Sequence, residues 1–162
     1  SASELPIAAV TLAVLGLLML IRDNLRALLA MHAIIFVGAL LLGISTLAFQ
    51  AGLLTPLPYM ILTGAGLYFA YTPFNAMLFD RMIAAIGHVG NAGFLIYVAD
   101  ASGYAGSVAL LLFRSFGASN VDWLHFYIDV AYVSSIAVAA CTALSALYFA
   151  FRLNRHRQAS RA

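Results

Sequence analysis

The chain has no lysine, only six acidic residues, one cysteine and four prolines. Charged residues fill 9% of its 162 positions, against roughly 25% in an ordinary soluble domain. So few charges cannot give a chain of this length a water-facing surface. That excludes a soluble enzyme, a nucleic-acid module and a disordered tail. The net charge of +2 is too small to call for a polyanionic partner. The lone Cys141 excludes an internal disulfide and any multi-cysteine metal or cluster site, and its apolar surroundings read as packing. No nucleophile elbow, Walker loop, zincin motif or dinucleotide fingerprint occurs. We therefore expect no enzyme, no metal and no cofactor.

What fills the space is hydrocarbon. Hydrophobic residues make up 64% of the chain and the mean hydropathy is +0.99. A bilayer core needs roughly 20 apolar residues per helix. Five stretches approach or exceed that, over 6–21, 28–49, 58–79, 91–113 and 123–151. The reading is an all-α, polytopic transmembrane bundle forming a single domain over 1–162, with short connectors between antiparallel neighbours. Lipid is its first partner. With the amino terminus outside, seven arginines fall on the cytoplasmic side and only Arg114 outside. The arginine rule thus sets N-out and C-in. It makes 152–162 a cytoplasmic basic tail, a topology signal that can also touch anionic lipid. The opening Ser1-Ala2-Ser3-Glu4 lacks a basic n-region, as expected of a chain that has lost a leader or is a piece of a longer one.

Ionisable groups inside a bilayer are costly and mark cavities or partners. Asp100 lies near the middle of the fourth span, with Tyr97 and Tyr104 on its face at i−3 and i+4. Ala99, Gly103 and Ser107 form an adjoining small-residue stripe that lets another helix approach. Asp100 reads as a substrate or proton site, or as a structural hydrogen bond to a neighbouring helix. The third span carries Gly64, Tyr68, Tyr71 and Asn75 along one face. Pro73 there removes a backbone bond and frees the carbonyl of Phe69. That suits a polar pocket lining, or a kinked helix whose tyrosines satisfy one another. At the outer end, His125 and Asp129 stand at i and i+4, and Arg114 can pair with Asp122 or Asp129. The group reads as a gate or helix-end clasp. Asp80-Arg81 reads as a local ion pair or a loop-to-helix lock. His32 and His88 lie at similar depth, where a b-type haem could in principle sit, but a span end and a loop make a weak ligand set.

Two segments carry a resemblance. One is Tyr71-Thr72-Pro73-Phe74-Asn75-Ala76-Met77-Leu78-Phe79-Asp80-Arg81. The other is Val89-Gly90-Asn91-Ala92-Gly93-Phe94-Leu95-Ile96-Tyr97-Val98-Ala99-Asp100, followed by Gly103-Tyr104 and Gly106-Ser107. Together they resemble the carboxy-terminal half of an uncharacterised bacterial membrane-protein family related to the major facilitator superfamily. The resemblance implies that these are the eighth to twelfth of twelve spans in a bacterial inner membrane. It implies a missing amino-terminal bundle, and a helix-locking role for Asp23 and Arg26 in a loop that lacks the superfamily's glycines. Five spans cannot close the inverted three-span repeats of such transporters. The expected function is therefore part of a secondary transporter for a small solute. Asp100, Tyr97, Tyr104, Tyr71 and Asn75 would line the route, with proton coupling at Asp100. The alternative is an accessory or scaffold subunit of a larger membrane complex.

Overall fold

The computed structural model describes residues 4–87, 89–117 and 122–159. It is all-helical, with no strand among the described residues. Helix α1 spans Glu4–Met19, α2 Asn24–Gln50 and α3 Pro56–Pro73. A π-helical turn, Phe74–Leu78, leads into the short α4, Phe79–Ile86. Helix α5 spans Ala92–Leu112 and ends in a second π-helical turn, Phe113–Gly117. Helix α6 runs over Trp123–Ala159.

The boundaries have local causes. Asp23 caps α2 by accepting the Arg26 backbone N–H at 2.8 Å, and Asn91 caps α5 through Phe94 at 3.2 Å. Pro56 opens α3, where its missing N–H costs nothing. Gly87 ends α4 at φ 74°, a left-handed conformation that favours glycine.

Three helical stretches are long and apolar enough to cross a bilayer: Asn24–Gln50, Ala92–Gly117 and Trp123–Phe151. They point to a membrane protein. The expected spans at 6–21 and 58–79 are helical but fall short of that standard. Ile7–Met19 is too short. In α3, three prolines, two glycines and three tyrosines among 18 residues dilute the apolarity.

Helix α2 is the centre. It lies antiparallel to α3, with Gly38 against Gly66 and Ala70, and Thr46 against Tyr59. It lies antiparallel to α6 as well, with His32 opposite Ser145, Ala39 opposite Ser135 and Gln50 opposite Tyr132. Small residues set the spacing, as expected where lipid removes the hydrophobic drive between helices. A Cβ on Gly38 would stand 2.6 Å from the Gly66 carbonyl oxygen, and one on Gly66 2.8 Å from that of Gly38. Ser135 donates to the Ala39 carbonyl at 2.7 Å. The core gathers toward the end that carries Arg22, Arg26 and Arg81, where Leu18 of α1 meets Ala27, Leu28, Met31, Ile35 and Leu78. At the opposite end Tyr59 stacks on Phe49 and meets Tyr127 edge-to-face. Helix α5 meets α4, yet none of its residues is buried.

Candidate functional site

Pro73 has no N–H to give its helix, so the regular ladder of α3 stops there. The chain continues through the π-helical turn, a geometry frequent at functional sites. This turn carries Asn75 toward α5. The Asn75 Nδ2 donates to Asp100 Oδ1 at 3.3 Å. An amide nitrogen only donates, so the carboxyl oxygen is the acceptor in this bond. The amide oxygen of Asn75 is then buried with no hydrogen-bond partner among the described residues. Asp100 itself is half-buried, whereas Tyr97 and Tyr104 are 77% and 74% exposed.

Of the five residues expected to line a route, the structure joins Asn75 and Asp100. Tyr97 and Tyr104 point outward from α5. Tyr71 lies in the wall of a groove between α3 and α6. Within the small-residue stripe beside Asp100, a Cβ on Gly103 would find nothing within 4 Å, and the same holds for the neighbouring Gly106. Ser102 and Ser107 bond to carbonyls of their own helix.

At the arginine end, Arg81 Nη1 donates to Asn24 Oδ1 at 2.9 Å. The tie between the connector and α2 thus runs through Arg81, not through a pair with Asp80, which is exposed. Asp23 acts on the Arg26 backbone as a cap, and Arg26 is exposed.

At the other end the expected pairings differ. His125 Nδ1 meets Asp122 Oδ2 at 3.1 Å, three residues back, rather than Asp129 four residues on. Asp122 precedes the first turn of α6 and also accepts the Leu124 N–H at 3.4 Å, so it serves as the cap. The His125 hydrogen bond first, and the Leu124 amide second, hold the Asp122 carboxyl below the usual carboxylate range. Arg114 pairs with neither acid among the described residues. Its guanidinium lies over the Trp123 ring, and Phe126 is close by. Its Nε is buried without a partner among the described residues.

His32 is buried, and both ring nitrogens are engaged. Nδ1 is 2.7 Å from the Leu28 carbonyl, which only accepts, so Nδ1 carries a proton. Nε2 lies 2.9 Å from Ser145 Oγ. Such a histidine fastens α2 to α6. His88 lies outside the described residues. Among the described residues no group of three metal-ligating side chains occurs.

Sequence reasoning missed the His32–Ser145 pair, since nothing local links positions 113 apart. It also missed the Gly38–Gly66 crossing, although two glycines on apolar helices were a readable sign. No curated protein and no solved structure matches the chain. A family model described as a family of unknown function, DUF5690, matches residues 1–152. With nearly its whole length covered, the chain belongs to that family.

Proposed function

We propose that this chain is one wall of a secondary-transporter-like protein moving a small solute, with proton coupling at Asp100. The observation that carries the reading is the Asn75–Asp100 bond. It joins a mid-span carboxylate to a helix interrupted at Pro73, and interrupted helices with intramembrane ionisable groups are where transporters place their sites. In this reading five spans cross a bacterial inner membrane, N-out and C-in, as the later half of a major-facilitator-like protein. The alternation of helix directions and the arginines at one end agree with it. The opposing wall comes from an amino-terminal bundle.

The test is pH-driven solute uptake into proteoliposomes holding the native protein, read with a panel of labelled small solutes and an internal pH dye. Asp100→Asn is expected to abolish both uptake and the accompanying proton movement while expression is unchanged. Undiminished uptake in that variant removes Asp100 from the mechanism.

A second reading is favoured by α5. A helix with no buried residue and a small-residue stripe suits an accessory or scaffold subunit held against other membrane chains. In that case Asp100 is a contact, and Asp100→Asn weakens an assembly.

A further inference from the structure

Asp100 stands near the middle of α5, and Tyr97 and Tyr104 share its face, one turn to either side. Its carboxyl has one hydrogen-bond partner, the Asn75 amide, and no ion pair reaches it among the described residues. The cations of neighbouring segments are engaged elsewhere. Arg81 of α4, the helix packed against α5, bonds to Asn24, and Asp80 beside it is exposed. Arg114 stands about 20 Å further along the chain's helical path at 1.5 Å per residue, against the Trp123 ring. We propose that Asp100 and Asn75 hold the solute of the transport reading above, on which this inference rests, and that the solute is a small organic cation with N–H donors, taken in exchange for a proton.

Charge is the first reason. A solute at this site meets a carboxylate and no cation, which repels an anion and attracts a cation. Hydrogen bonding is the second. What the pair lacks is a donor: Asn75 Oδ1 is buried without a partner, and one amide N–H does not fill the acceptor capacity of an ionised Asp100. The amide keeps nearly the same shape either way round. A half-turn about its last torsion sets its oxygen where the nitrogen stands, 3.3 Å from Asp100 Oδ1. A cationic N–H group about 2.8 Å from each then bridges the two oxygens. A proton on Asp100 bridges the same two, so proton and cation exclude one another. The third reason is aromatic. The Tyr97 and Tyr104 side chains are exposed, and ring faces attract organic cations. A metal ion would need more oxygens than these two side chains hold. The empty carboxylate is costly inside a bilayer, whereas the protonated or cation-paired site is neutral. Each cation that binds therefore releases one proton from Asp100 to water, and each that leaves is replaced by one.

The experiment is binding of radiolabelled benzylguanidinium to the native protein in nanodiscs, measured across pH. This probe carries the donors and keeps its charge throughout the range. The expected result is binding that weakens as pH falls, by about tenfold per unit in the acid limb, the linkage slope of one proton. Benzylurea, of the same shape without the charge, and phenylacetate should not compete. Asp100→Asn should abolish binding, and Asp100→Glu should keep it together with its pH dependence. Tyr97→Ala and Tyr104→Ala should each weaken it roughly two- to fivefold, the worth of an exposed cation–π contact. Absence of binding overturns the proposal, as does binding that is independent of pH, that benzylurea displaces or that survives Asp100→Asn. Proteoliposomes with an acid interior separate this failure from that of the transport reading. Asp100-dependent uptake of other solutes, with no binding of benzylguanidinium, overturns the cation class and leaves transport standing. Benzylguanidinium binding with the expected pH dependence, but no uptake of it or of any other solute, overturns transport and leaves the cation site standing.

Discussion

At the scale of single residues, the absence of a side chain carries as much as its presence. Gly38 and Gly66 let the α2 and α3 backbones touch, and a methyl on either would press on backbone atoms that cannot move aside. Gly38→Ala and Gly66→Ala are each expected to destabilise the bundle by about 1–3 kcal/mol, the usual cost of overpacking. Gly103→Ala, with open space around it in this chain alone, costs nothing and should stabilise α5 by up to about 1 kcal/mol, the helix-propensity gain of alanine over glycine. Unfolding midpoints in a detergent titration check all three; equal stability at Gly38 contradicts the crossing. Charge acts at this scale too. Asp122 is held below the carboxylate range by His125 and the Leu124 amide. A depressed carboxyl value means its stabilisation is full above the ordinary carboxylate range and fades as pH falls through the folded value. His125→Ala should raise the Asp122 titration toward that ordinary range. Carbon-13 NMR of labelled aspartate follows it, and an unmoved titration would show that the histidine contact does not form.

At the scale of elements, the third helix shows what the sequence could and could not disclose. Pro73 in an apolar run predicted an interruption, and one occurs there. That it becomes a π-helical turn touching α2 and joined to α5 through Asn75 and Asp100 is not recorded by any local pattern. Asn75 and Asp100 were legible separately, because an amide and a carboxylate stand out among apolar neighbours. Their meeting is a tertiary fact. Helical spacing makes a His125–Asp129 bond easy, but His125 meets Asp122, which precedes the helix and accepts the Leu124 amide. The short α4 is tied to the start of α2 by Arg81 and Asn24. Arg81→Ala should loosen that corner by about 1 kcal/mol, an ordinary hydrogen-bond contribution. In hydrogen exchange, 79–86 should exchange faster while 38–46 stays protected. Uniform loosening of both segments contradicts a local tie.

At the scale of the whole molecule, α1, α2, α3 and α6 form a packed unit around α2, and α5 stands against it with no buried residue. The helices themselves were readable from hydrophobic runs alone, since every one of the five expected stretches is helical. Which faces they bury was not, because helices apolar all round lack the one-sided pattern that points to a core. In the proposed account the exposed α5 face, with Asp100 midway along it, meets an opposing bundle. The most direct test is native mass spectrometry of the protein extracted gently from its own membrane, with every co-migrating chain identified. The account predicts a second helical bundle, either in the same polypeptide or firmly bound to it, and cross-links from that bundle to α5 near Gly103. A particle of 17.3 kDa that runs alone, yet still takes up solute, would contradict it.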